Sequence, residues 1–106
     1  MSYRFMRVLV FFDLPVETAV ERREYTKFRR FLIKNGFVMM QESVYSKLTL
    51  NATAAAAVRA NVVKYRPMTG LVQLMTITER QFSNIEFITG RHHSEILDND
   101  ERLVVL

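Results

Sequence analysis

The 106-residue chain has no cysteine, no tryptophan, three glycines and two prolines. Without cysteine it cannot build disulfides, thiolate zinc sites, iron–sulfur clusters or a thiol nucleophile. No glycine-rich phosphate loop is present, and no H-E-x-x-H pattern marks a zinc hydrolase. No run of about 18 apolar residues occurs, so no membrane-spanning helix is expected. The N-terminal apolar run stops at Asp13 with no small-residue cleavage site, which argues against a signal peptide. Repeats, low-complexity segments and linkers are also missing. Domains usually run about 100–200 residues, so the length allows one domain and no cleft between two. The expectation is a small, soluble, cytoplasmic domain that does not meet a membrane.

Hydrophobic residues make up 49% of the chain and aromatic residues 11%, enough for a core. The net charge of +4 is divided unevenly. Residues 1–66 carry twelve basic and five acidic side chains, a local +7, and residues 67–106 carry three and six, a local −3. Such asymmetry suggests a polyanion-binding side and an acidic tail. Ordinary solvated helix faces are the plainer explanation.

Phe5 to Phe12 is nearly continuous in apolar, β-branched and aromatic residues and predicts a central strand. Asp13-Leu14-Pro15 ends it. Thr18-Ala19-Val20-Glu21 matches a capping box, so a helix should run to about Asn35, with Gly36 as its left-handed exit. On that helix Tyr25, Phe28 and Leu32 form a core stripe bordered by Phe31. Arg23, Lys27, Arg30 and Lys34 gather on the opposite face, with Arg22 and Arg29 on a flank. Like charges at this spacing slightly disfavour the helix, so a stripe that persists suggests a phosphate-facing surface.

Phe37 to Leu50 reads as extended, with Val38, Met40, Val44, Leu48 and Leu50 on one face. Gln41-Glu42-Ser43 suggests a bend or bulge dividing it. Asn51 is a plausible N-cap for a helix from about Ala52 to Tyr65 with Val58, Val62 and Tyr65 as its core stripe. Pro67 and Gly70 end that helix and turn the chain. Leu71–Thr78 reads as a strand, residues 85–88 as a short one, and Leu103–Leu106 as a candidate last strand.

The order predicts an α+β, ferredoxin-like βαββαβ sandwich, with two helices on one face of an antiparallel sheet. Residues 1–90 would form the domain, and 91–106 a tail with a candidate final strand over 102–106. Phe11, Met39, Tyr45, Leu71, Met75 and Ile77 are expected on the uncovered face. An apolar face of that size implies a partner, most simply a homodimer packed sheet to sheet.

Asp13 closes the apolar strand, where a carboxylate is held rigidly beside a loop and a helix start. It suits an oxygen ligand for Mg²⁺, which uses one or two carboxylates and keeps several waters. It would also suit the cap of the Leu14-Pro15 turn. One carboxylate is a poor metal site, but a two-fold dimer would bring a second Asp13. His92-His93 reads as solvated linker. Ser43 has no histidine partner for a nucleophilic triad.

Val8-Leu9-Val10-Phe11-Phe12-Asp13, the following Arg22-Arg23, Phe31-Leu32 with Asn35-Gly36-Phe37, and Gln41-Glu42-Ser43-Val44-Tyr45 together resemble the small CRISPR-associated adaptation protein family. The likeness covers roughly residues 3–90. The longer helix and the Ser2-Tyr3-Arg4-Phe5-Met6 opening resemble the version found with type II, single-effector systems. The resemblance implies a ferredoxin-like homodimer with Asp13 near its axis, assigned to Mg²⁺. It implies a metal-dependent endonuclease acting on single-stranded RNA or double-stranded DNA. It also implies a central bridge between two integrase dimers in the complex that inserts new spacers during antiviral defence. Glu42 departs from the family, many of whose members carry a basic residue there. The tail from Glu95 to Glu101 matches no motif, and Leu103–Leu106 could reach the integrase or another subunit by strand addition.

Two function classes follow. As an enzyme, Asp13 would hold Mg²⁺, Arg22 or Arg23 would hold the phosphate backbone, and Ser43 would position water or phosphate. As a non-catalytic scaffold, the stripe Arg23, Lys27, Arg30 and Lys34 would track a duplex backbone without reading sequence. A regulatory domain that binds a small molecule is a third class, for which no pocket is marked.

Overall fold

The computed structural model describes residues 4–90. The elements run β1 (Met6–Asp13), α1 (Ala19–Lys34), β2 (Val38–Gln41), β3 (Val44–Thr49), α2 (Ala52–Lys64), β4 (Leu71–Thr78) and α3 (Glu79–Phe82). The four strands form one antiparallel sheet in the order β2-β3-β1-β4. This is the expected α+β, ferredoxin-like arrangement, with the apolar β1 in the interior of the sheet. Among the described residues no helix is long and apolar enough to cross a membrane. The expected strand over 102–106, the rest of the tail and His92-His93 lie outside the described residues.

Local signals explain the helix ends. Thr18 accepts from the Glu21 amide at 3.1 Å, and the Glu21 carboxylate accepts from the Thr18 amide at 2.9 Å. This reciprocal box satisfies amides that lack helical partners. At the other end Asn35 is the cap, and Gly36 takes φ +89°, a conformation that side chains disfavour. Asn51 caps α2 by accepting from the Ala54 amide at 2.8 Å.

The pleat assigns each strand residue to a face. Val8, Val10 and Phe12 point toward the helices and join Phe28 and Leu32 of α1 and Ala55 and Val62 of α2 in the core. The three rings Phe12, Phe28 and Tyr45 meet there, with Phe12 edge-on to Phe28 at 5.3 Å and stacked on Tyr45 at 5.7 Å. Arg7, Leu9, Phe11 and Asp13 point to the face without α1 and α2, the open face. Register across the ladder places Val44, Ser46 and Leu48 of β3, and Leu71, Gln73, Met75 and Ile77 of β4, on that same open face.

Register corrects the assignment of two residues. Tyr45 is paired with Val10 and Met39 with Tyr45, so both lie on the helix face, and Tyr45 is fully buried there. The even positions Val38, Val44 and Leu48 do share one face, but it is the open one. Alternation shows which residues belong together; it does not show which set the helices cover. Phe11, Leu71, Met75 and Ile77 are on the open face as expected.

Local details bear out one expectation, change two and add an element. Gln41 ends β2, Glu42-Ser43 form the hairpin turn, and the register shifts between Met39 and Gln41, which combines the expected bend and bulge. Residues 85–88 are irregular rather than a strand. A second capping box, Thr78 with Gln81, starts the short α3 immediately after β4 and turns the chain. Tyr65 caps α2 and packs on Phe31 at 5.0 Å, yet it remains half exposed, so it edges the core.

α3 is fastened to the open face. Arg7 donates from Nε to Glu79 Oε1 at 2.8 Å and from Nη2 to Glu79 Oε2 at 2.5 Å. Its guanidinium also lies 4.2 Å from the Phe82 ring centroid. The forked contact and the stacked ring hold one side chain in a single geometry.

Candidate nucleic-acid and metal site

β1 delivers Asp13 to its carboxyl end on the open face, opposite Leu71 of β4. The side chain is exposed, and no hydrogen bond or ion pair from the described residues engages its carboxylate. Its backbone is tightly fixed. Gly70, at φ +92°, packs so closely that a Cβ there would lie 2.9 Å from the Asp13 carbonyl oxygen and 2.7 Å from Leu14 Cδ2. Gly70 is a site residue that function-directed reading of the sequence misses. Its visible signal is the Pro67…Gly70 turn directly before a strand.

Ser43 reaches the same end of the sheet. Its carbonyl accepts from the Phe12 amide at 3.1 Å, which pins the β2–β3 turn beside the residue before Asp13. The residue is half-buried. Glu42 is exposed in the same turn. Among the described residues no group of three His, Asp or Glu side chains comes together. Among the described residues one chain therefore offers the Asp13 carboxylate on the strand end, with Glu42 in the neighbouring turn, and no three-ligand cluster. That fits Mg²⁺ as half of a site, because this ion accepts one or two carboxylates and fills its shell with water.

The cations are arranged differently. Arg22 is tied to the loop before α1, donating from Nη1 to the carbonyls of Val16 at 3.2 Å and Glu17 at 2.9 Å. Its other guanidinium nitrogens remain for a ligand. Arg23, Lys27, Arg30 and Lys34 are all exposed along the outer side of α1. The Arg7–Glu79 pair is the one ion pair found among the described residues, so none of the four is neutralised there. A shallow groove runs along this side, lined by Ala19, Arg22, Arg23, Thr26, Lys27 and Arg30.

Asp13 and the stripe thus sit on opposite layers of the molecule. The sheet separates them, and only the start of α1, with Arg22 and Arg23, is near the Asp13 end in chain order. The sequence groups these residues by type and hides that separation.

The open face beside Asp13 is apolar and bare in part. Leu48, Leu71 and Met75 are about half exposed, and Val38 on the edge strand is 60% exposed. Isolated exposed apolar residues are ordinary; here they recur on β2, β3 and β4 of one sheet face that neither α1 nor α2 covers.

Residues 6–85 match the model of the family described as CRISPR associated protein Cas2. Relatives are similar in sequence over nearly the whole chain. A CRISPR-associated endoribonuclease Cas2 of Treponema denticola is 52% identical over 101 residues, covering 95% of this chain and 100% of the relative. One from Streptococcus mutans is 45% identical, covering 95% and 93%. One from Ligilactobacillus salivarius is 40% identical, covering 95% and 100%. The chain belongs to the CRISPR-associated Cas2 family.

Proposed function

We propose that the protein is a Mg²⁺-dependent endonuclease of CRISPR adaptation that works in the cytoplasm as a homodimer closed through its open sheet faces. The observation that carries this reading is the free carboxylate of Asp13 on a rigid strand end beside exposed apolar residues. One chain supplies half of a metal site and half of a contact surface, and the same two-fold axis would complete both. The names of the relatives support phosphodiester cleavage. The long α1 and the Ser2-Tyr3-Arg4-Phe5-Met6 opening of the sequence support the type II version.

Bound Mg²⁺ would supply positive charge at the scissile phosphate and lower the cost of deprotonating water. The protein's own residues do the positioning. Asp13 of each copy presents carboxylate oxygens across the axis. Gly70 and the Ser43–Phe12 hydrogen bond keep that strand end from shifting. The Ser43 hydroxyl orients a water or a phosphate oxygen, and Arg23, with the free nitrogens of Arg22, holds the backbone of double-stranded DNA or single-stranded RNA.

A direct test compares wild type with Asp13→Ala on both substrates, with Mg²⁺ and with EDTA. The expected result is cleavage by wild type in Mg²⁺ alone. Equal cleavage by both proteins would reject the assignment and point to a contaminating nuclease.

One observation favours a second reading. The cationic stripe lies on the layer away from Asp13, so it can hold nucleic acid without bringing it to the carboxylate. In that reading the dimer is a DNA-binding bridge between integrase dimers, and cleavage is dispensable. Spacer acquisition in cells separates the two. Acquisition that survives Asp13→Ala but not loss of the stripe identifies the bridge as the working role.

A further inference from the structure

The C-terminal turns of α1 and α2 meet on the outer layer. Phe31 backs Tyr65 with ring centroids 5.0 Å apart, and Asn61 Nδ2 donates to Asn35 Oδ1 at 3.3 Å across the same junction. Tyr65 is nevertheless 51% exposed. Lys64 and Arg66 flank it in sequence, and Lys64 Nζ lies 5.4 Å from its ring centroid. On α1, Arg30 and Lys34 sit roughly 100° and 60° around the helix from Phe31, both turned toward solvent. On α2, Lys64 sits roughly 100° from Tyr65 in the corresponding direction. Cations from both helices therefore rise around one exposed ring.

No counter-charge is close in sequence. The chain contains no Asp or Glu between Glu42 and Glu79, so α2, β3 and β4 bring no acid; Asp13 of β1 points to the open face, and Glu24 of α1 lies about two turns before Phe31. Glu21 of α1 is occupied by its capping box at the far end of that helix. Cations at a helix C-terminus do favour the helix dipole. That effect explains Lys34 and Lys64; it does not explain a half-exposed tyrosine between them.

A basic surface with an exposed aromatic ring can take single strands of any sequence, because every unpaired base has a flat face to stack. A duplex interior offers no such face. We propose that Tyr65, with Arg30, Lys34, Lys64 and Arg66, forms a site for an unpaired nucleotide of single-stranded DNA or RNA. The base stacks on the outer side of the ring, and the adjoining phosphates meet the four cations. This site is on the helix layer, while the Asp13 side chain points to the open face, and it does not depend on the metal reading.

The test measures binding of oligothymidylate and oligouridylate of about 12 nucleotides, in EDTA, against an abasic phosphate backbone of equal length. Wild type should prefer both base-bearing strands. Tyr65→Leu, which keeps an apolar side chain but removes the flat ring, should weaken them about 10-fold and leave the abasic strand unchanged. Tyr65→Phe should retain the preference. Lys64→Gln with Arg66→Gln should weaken all three strands. Arg59→Gln, read against Lys64→Gln alone, is the control for one charge lost elsewhere on α2, since Arg59 lies roughly 140° around α2 from Lys64 and should change little. The assay contains no Mg²⁺ and reads no cleavage, so failure here is separate from failure of the nuclease reading. Equal wild-type affinity for abasic and base-bearing strands would overturn the proposal whether or not any variant folds. So would a folded Tyr65→Leu that binds like wild type.

Discussion

Replacing Lys27 and Arg30 together with glutamine separates nucleic-acid binding from folding, because the two should move in opposite directions. Both side chains are exposed and lack ion-pair partners among the described residues. In the native helix Arg23–Lys27, Lys27–Arg30 and Arg30–Lys34 are like-charge neighbours, each costing about 0.2–0.5 kcal/mol. The double variant removes all three repulsions. It also gives up the favourable Glu24–Lys27 spacing, which is of similar size. Glutamine has nearly the same helix propensity as lysine and arginine. Stability should therefore rise by up to about 1 kcal/mol, or stay level. Binding should fall. Each phosphate neutralised contributes about −0.9 to the slope of log K against log salt on duplex DNA, so taking four cations from a dimer makes the slope shallower by roughly 3.6. Between 50 and 200 mM salt the affinity of the wild type should then drop about two orders of magnitude further than that of the variant. Fluorescence anisotropy on duplex DNA across that salt range gives the slope, and urea unfolding gives the stability. An unchanged slope in a folded variant would refute a phosphate-binding role for this face.

Other expectations follow from single contacts. The Tyr45 hydroxyl is buried and has no hydrogen-bond partner among the described residues, so Tyr45→Phe removes an unmet polar group. Leaving such a group buried costs about 1–3 kcal/mol, and the variant should be as stable as wild type or more so in urea unfolding. A destabilisation of about 1 kcal/mol would mean that the hydroxyl is bonded in solution. Gly70→Ala should be destabilising by at least about 1–2 kcal/mol, because its Cβ needs a left-handed backbone and meets the Asp13 carbonyl. It should also reduce Mg²⁺-dependent cleavage under conditions where the protein remains folded, and unimpaired cleavage there would contradict the role given to Gly70.

Much of the fold is visible in local sequence. Thr18 with Glu21 marks the start of α1, Gly36 its exit and Asn51 the start of α2, since each signal is a short-range hydrogen bond or a backbone conformation. α3 is legible in the same way from Thr78 and Gln81, but the apolar residues 85–88 draw the strand assignment past it. Tyr45 and Met39 cannot be placed on the correct face from alternation alone. That depends on which side of the sheet α1 and α2 cover, a non-local fact. Asp13 stands out because a carboxylate ends an apolar strand. The position of the stripe on the opposite layer is not legible, because it follows from the sheet lying between α1 and the open face. Tyr65 reads as core at helical spacing. Its exposure follows from meeting only the last turns of α1.

The central claim is that one chain carries half of a site, with two Asp13 carboxylates sharing one ion. The most direct measurement is a crystal structure of the dimer with Mg²⁺, read at the separation of the two Asp13 side chains. The expected result is a dimer closed through its open faces, with the carboxylates within about 10 Å and an ion between them, ligated directly or through water. A Mg²⁺-containing dimer that holds them farther apart, with no ion at either, would contradict it.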